Sequence, residues 1–154
     1  MTPQRISAPV LHTPPTLHTD EAIESAIHRL LACDLPALPV VDADGRYAGI
    51  FGEREFMEAV FPGYLKQLKH AAFLSRSLDD ALERRDACRN EPVGRYMNTE
   101  HVDVGPDFSD TQVAEIFLHH RVLVVPVVAD GRVEALLTRH DFFRAVAERF
   151  VGGP

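Results

Sequence analysis

The segment Pro39-Val40-Val41-Asp42-Ala43-Asp44-Gly45-Arg46 returns, one residue shorter, as Pro126-Val127-Val128-Ala129-Asp130-Gly131-Arg132. With one gap after Asp42 the two stretches stay in register as far as Val60 and Val146, agreeing at Pro, Val, Val, Asp, Gly, Arg, Phe, Ala and Val. So many identities mark a duplicated unit, and a repeat constrains the fold before any other reading. A unit of roughly 50 residues does not easily bury a core alone, whereas two copies packed together can. The 154-residue chain is therefore expected to form one module from two copies.

Each copy reads as helix, strand, strand, helix. In the first, Thr19 or Asp20 is placed to cap a helix whose apolar residues Ile23, Ala26, Ile27, Leu30 and Leu31 repeat at helical spacing. Leu35 to Val41 then predicts a buried strand, Asp44-Gly45 a hairpin turn, Tyr47 to Phe51 the return strand and Glu53 to Val60 a second helix. The second copy repeats the order, with Asp107 or Ser109 as cap, a helix through Val113, Ile116 and Phe117, strands Leu123 to Val128 and Val133 to Leu137 about Asp130-Gly131, and a helix from Arg139 to Phe150. Short extended pieces ahead of the helices, Thr16 to His18 and Val102 to Val104, would add a third strand to each small sheet. The fold class is thus α/β in the α+β sense: two small sheets with flanking helices, related by a pseudo-two-fold axis.

We divide the chain into a first repeat at 8–60, a helical insertion at 61–92 and a second repeat at 93–150. In the insertion Tyr64, Leu65, Leu68 and Ala72 share one helical face, and Ser77-Leu78-Asp79-Asp80 resembles a capping box opening a helix with Leu78, Ala81 and Leu82 on its inner face. These helices either cover the two-repeat core or build a subunit interface.

Charge and composition exclude several functions. A net charge of −7 argues against a phosphate-backbone binder, which needs clustered Lys and Arg. Arg84, Arg85 and Arg89 are interleaved with Asp79, Asp80, Glu83 and Asp86 and read as a solvated helix face. No apolar run approaches the roughly 20 residues of a membrane helix, and the first residues lack a basic segment followed by an apolar stretch, so no membrane association and a cytoplasmic location are expected. Cys33 and Cys88 have no metal-ligand spacing and read as reduced packing residues. Adjacent His119 and His120 would project about 100° apart on a helix and do not readily share an ion. No metal site is expected. With no nucleophile elbow, Gly-rich phosphate loop or cysteine beside a base, the chain is not expected to be an enzyme and has no catalytic residues to name.

Leu38-Pro39-Val40-Val41-Asp42 with Gly45 and Gly49-Ile50-Phe51, and Val125-Pro126-Val127-Val128 with Gly131 and Thr138-Arg139-His140-Asp141, resemble the cystathionine-beta-synthase (CBS) domain family, whose members occur as tandem pairs. Each piece is weak alone, but paired pieces at matched spacing are a strong signal. The resemblance implies two small units whose sheets face each other across two clefts, sites that in many relatives hold adenosine-containing ligands, and a sensing role without catalysis. It also implies a flat homodimer and an effector protein whose identity the sequence does not carry.

Under that resemblance Thr138 and Asp141 match the family's ribose-contacting pair, at a strand-to-helix junction whose helix N-terminus favours negative charge. The alternative is that Thr138 is only an N-cap reinforced by Asp141. Val102, Val104 and Pro126 are expected beside this pair, with Arg139 and His140 as cations. In the first copy Gly52 and Glu55 stand in the same places, so a hydroxyl is lost and the carboxylate moves one methylene outward. Glu55 is expected to be a solvated helix-start charge rather than a ribose contact, in a weaker cleft that would also use Arg54, Leu17 and Pro39.

The His or Arg that relatives often carry just before the Pro-Val-Val strand is absent, since those positions read Pro36-Ala37 and Leu123-Val124. An adenosine derivative (AMP, ADP, ATP or S-adenosylmethionine) is expected mainly in the second cleft, with S-adenosylmethionine favoured by the missing cations. No cofactor is required for such a role. The alternative is a ligand-free module for dimerisation or protein interaction.

Overall fold

The computed structural model describes residues 5–61, 78–100 and 102–153. The first copy comprises β1 (Leu17–His18), α1 (Ile23–Cys33), β2 (Ala37–Val41), β3 (Tyr47–Gly52) and α2 (Glu53–Val60). After it come α3 (Leu78–Arg84) and 3₁₀ turns at Asp86–Asn90 and Val93–Arg95. The second copy comprises α4 (Asp110–His119), β4 (Val124–Ala129), β5 (Arg132–Thr138) and α5 (Arg139–Gly152). Two helical elements of equal type therefore frame a hairpin in each copy, as the repeat requires. No helix among the described residues is long and apolar enough to cross a membrane.

The sheets differ in one strand. In the first, β1 runs parallel to β2, which pairs antiparallel with β3. In the second, β4 and β5 form the hairpin, and the expected third strand is a single parallel bridge from Val104 to Val127. The one-residue difference between the copies is a difference of turn. Asp130 and Gly131 both take positive φ, 52° and 79°, as a two-residue type I′ turn requires. The first hairpin is one residue longer: Gly45 alone is positive, at 78°, and its N–H donates to the Asp42 carbonyl at 3.0 Å. Both hairpins carry a register shift at the same place, between Val40 and Val41 and between Val127 and Val128.

Strand alternation sends side chains to two different cores. Leu38 and Val40 join Leu17, Ile23, Ala26, Leu30 and Phe51 in the first core. Val125 and Val127 join Val104, Phe108, Val113, Leu137 and Phe142 in the second. The opposite faces meet each other, Ala37 packing with Val124 and Leu136 in a seam between the copies. This is why β2 is buried at every position.

The segments leading into each copy cross to the other one. His12 bridges Leu136 of β5, with reciprocal hydrogen bonds of 2.8 and 2.9 Å, and Asn98 bridges Ile50 of β3 at 2.8 and 3.0 Å. Val93 completes the first core, while Val10 and Leu11 pack on the second. The first-copy lead-in is also anchored by Asp110, which accepts hydrogen bonds from Ile6 N, Ser7 N and Ser7 Oγ.

Some local expectations are corrected. The N-cap of α1 is Ala22, without a side-chain cap, because Glu21 bonds Ser25 and Arg29 and the helix starts later than Thr19 or Asp20 would place it. Ser109 does cap α4, accepting from Gln112 N at 3.1 Å. Leu78 and Leu82 of α3 are exposed, as no described element covers that face. Tyr64, Leu65, Leu68, Ala72 and Ser77 lie outside the described residues. Arg85 is no solvated charge: its guanidinium donates to the Ala59 carbonyl and to Tyr96 Oη, both at 3.0 Å, tying the segment after α3 to α2. Cys33 and Cys88 are free thiols.

Candidate functional site

Each hairpin ends at the start of a helix, and there the two copies hold different chemistry. At the start of α5, Thr138 Oγ1 accepts from Asp141 N at 3.0 Å and donates to Asp141 Oδ2 at 2.8 Å. Thr138 is thus an N-cap and a partner of the carboxylate at once. The same Oδ2 accepts from His12 Nε2 at 2.6 Å, across the boundary between copies. Among the described residues no hydrogen bond reaches Oδ1, and the side chain is 31% exposed. The His12 hydrogen bond holds the Asp141 carboxyl below its ordinary range, helped by Thr138, while partial burial opposes the shift.

At the start of α2 the hydroxyl is missing for a steric reason. Gly52 has an ordinary extended φ of −159°, but a Cβ there would overlap Ala37 Cβ and the Pro36 carbonyl oxygen and lie 2.6 Å from Ala37 Cα. Glu55 takes over the capping role, its Oε1 accepting from Gly52 N at 2.9 Å. It is 7% exposed, so it is a buried cap and not the solvated charge expected from the sequence. Burial raises its carboxyl above the ordinary range, against the hydrogen bond from Gly52 N.

Around Glu55 lies an open cavity of about 490 Å³. Its walls are Arg54 of α2, Asn98 of the crossing lead-in, His119 at the end of α4, and His120 and Arg121 from the link between α4 and β4. A small inner recess continues it past Val102 and Val124. Arg54 donates to the Arg121 carbonyl at 3.3 Å and pairs with Glu58 at 3.6 Å.

The crossing of the lead-ins redistributes the residues named from the sequence. Val102 lines the cleft of Glu55, not that of Asp141, because the second copy's lead-in runs over the first copy's sheet. Val104 and Leu17 are core residues at 2% and 0% exposure, and Pro39 and Pro126 are buried within their strands, so none of the four presents its side chain to a ligand. Arg139 and His140 line an outer groove of about 660 Å³ with Phe117, Leu118, Phe142 and Phe143. His140 nevertheless contributes a small electrostatic lowering to Asp141. Arg54 is where the sequence placed it, on the first cleft.

Sequence reasoning missed His12, Asn98 and Arg121. The signal for the last was present: Arg121 stands three residues before β4, and its counterpart three residues before β2 is Asp34. Among the described residues no group of His, Cys, Asp or Glu is placed to hold a metal ion.

The model of the CBS domain matches residues 7–62 and again 93–148. A CBS-domain-containing protein of Agrobacterium tumefaciens superposes with a TM-score of 0.66 at 25% identity, covering 88% of this chain and 85% of that one. The protein CBSX2, solved in complex with AMP, gives a TM-score of 0.62 at 19% identity, over 88% and 89% of the two chains. The A-adding tRNA nucleotidyltransferase of Aquifex aeolicus is 22% identical over 142 residues, which are 90% of this chain and only 14% of that enzyme. Matched twice over most of its length, and built as two hairpin-and-helix units joined along a common seam, this chain belongs to the CBS-domain family as a tandem pair.

Proposed function

We propose that the chain is a regulatory module that binds an adenosine derivative (AMP, ADP, ATP or S-adenosylmethionine) between its copies, with the nucleoside recognised in the second cleft. The observation that carries this reading is the Thr138–Asp141 pair: a carboxylate kept ionised at a helix start, with Oδ1 open to the two hydroxyls of a ribose. The AMP complex of CBSX2, a protein of the same fold, supports the ligand class. A ribose held at Oδ1 leaves the His12 contact at Oδ2 in place, so the first lead-in stays docked beside the bound nucleoside. Pro126 is buried within β4 opposite Leu136, and Arg139 and His140 line the outer groove beside α5.

Calorimetric titration with adenosine, S-adenosylmethionine, AMP, ADP and ATP tests the reading. Asp141→Ala should remove the binding of adenosine and S-adenosylmethionine, and Glu55→Ala should leave most of it. If none of the five binds more tightly than about 1 mM, roughly 4 kcal/mol, the sensor reading fails.

The same module is proposed to act as a homodimer. Leu31 and Met57 on the first copy, and Leu118, Phe143, Phe150 and Val151 on the second, are large apolar side chains left exposed at or near equivalent faces. A dimer indifferent to all five ligands in melting temperature would favour the alternative, a ligand-free interaction module, because a ligand selective for the folded state stabilises it.

A further inference from the structure

We infer that two chains pair head to tail: the helical face of the first copy, around Leu31 and Met57, seats on the helical face of the second copy of the other chain, around Leu118 and Phe143. This inference rests on the homodimer reading above and adds its orientation, with a second copy of this chain as the occupant of the outer groove.

The repeat sets the same apolar pair on both copies. Leu31 of α1 stands where Leu118 stands in α4, and Met57 of α2 stands where Phe143 stands in α5. All four are exposed, Leu31 by 76%, Leu118 by 80%, Met57 by 53% and Phe143 by 62%, and repeated apolar exposure of this kind marks a contact surface. The two faces also adjoin. The groove of about 660 Å³ between α4 and α5 is lined by Leu123 of its own copy and by Pro36, the equivalent residue ahead of β2 in the other. A partner lying across that seam meets both faces at once, as a closed two-fold dimer requires.

The charges around the apolar pairs choose the orientation. Glu53 precedes Met57 by one helical turn, and the equivalent residue before Phe143 is Arg139. Glu58, next to Met57, is replaced by Arg144, and His28, one turn before Leu31, is replaced by Glu115. All six of these residues are exposed. At three equivalent positions, then, one copy has an acid where the other has a base. Arg54 and His140 keep a basic side chain in both copies, but Arg54 is engaged with Glu58 at 3.6 Å and with the Arg121 carbonyl at 3.3 Å. Pairing of like faces would bring two acidic rims together at Glu53 and two basic rims together at Arg139. Pairing of unlike faces sets acid against base, and such complementarity selects one docking orientation over another.

Analytical ultracentrifugation of the full chain reads the dimer dissociation constant. Phe143→Asp should leave a monomer. Glu53→Arg and Arg139→Glu should each weaken the dimer by about tenfold or more, because each reversal places like charges at two symmetry-related contacts. Glu53→Arg combined with Arg139→Glu in one chain should return the constant to within about threefold of wild type, since the pair is restored across the interface. Should either single variant misfold, Glu58→Arg, Arg144→Glu and their combination make the same comparison. Under head-to-head pairing a like-charged contact stays like-charged, so single reversals would leave the dimer unchanged. That result, or a double variant as weak as the singles, overturns the orientation while the homodimer stands. A dimer that survives Phe143→Asp overturns the use of this face. A monomeric wild type overturns the homodimer reading itself.

Discussion

Thr138–Asp141 and Gly52–Glu55 occupy equivalent places at the ends of β5 and β3, yet one pair faces outward and the other inward. In the second copy the threonine caps the helix, so the aspartate is released to meet His12 and, in our proposal, a ribose. In the first copy the close approach of Pro36 and Ala37 admits only glycine, so the acid itself must cap the helix and is buried in doing so. A single steric restriction at the end of one strand thus changes the role of a carboxylate three residues later. The two sites differ here in backbone packing as well as in chemistry.

The sharpest way to break this account is to restore symmetry. Gly52→Thr forces atoms into Ala37 and the Pro36 carbonyl and should destabilise the fold by about 3 kcal/mol or more, read by denaturant unfolding. A variant as stable as the wild type would remove the steric explanation. Thr138→Ala, which deletes the hydroxyl cap that Glu55 replaces in the first copy, should cost about 1 kcal/mol in the same assay.

The two acids should respond to pH in opposite senses. Asp141 has a lowered folded pKa, so its contribution is present above the unfolded value of about 3.9 and is lost as acid takes the pH down through the folded value. Asp141→Asn should therefore be less stable than wild type at pH 7, by under about 1 kcal/mol for so accessible a pair, with the gap closing below about pH 4. Glu55 has a raised folded pKa, so its ionised form costs stability at neutral pH, and that cost fades as the pH falls toward the unfolded value of about 4.3. Glu55→Gln keeps the acceptor for Gly52 N and should melt slightly above wild type at pH 7, with the difference vanishing in acid. Melting curves of both variants from pH 7 to pH 3 would decide it; parallel shifts would show that the two carboxylates are equivalent after all.

Much of the scaffold was legible in the residues. The Asp-Gly turns, the alternating strands and the helix starts at Glu53 and Arg139 follow from local patterns that each element satisfies by itself. The Thr138–Asp141 junction was legible for the same reason, since its partners lie within one turn of helix. The exchange of lead-ins was not. A few extended residues pair equally well with either sheet, and nothing local says which, so the sequence carries no sign that Val102 lines the recess beside Glu55 or that His12 neighbours Asp141. The insertion misled in another way: Leu78 and Leu82 follow a helical stripe, but a stripe specifies a face without specifying what covers it. Arg85 looked solvated among acids because its acceptors, the Ala59 carbonyl and Tyr96, are remote in sequence.

The crossed lead-ins also govern the order in which the molecule can be assembled. The His12–Asp141 contact joins residues 129 apart, and the first core waits for Val93, so a ribosome must release most of the chain before either copy is finished. Closing so long a loop slows folding more than it weakens the product. Until then β3 offers an unpaired edge at Ile50, the position that Asn98 later covers, and such edges invite pairing with other chains. Nascent or truncated forms of this protein should be most vulnerable to misassembly there, and an isolated first copy should recruit a strand from whichever neighbour supplies one.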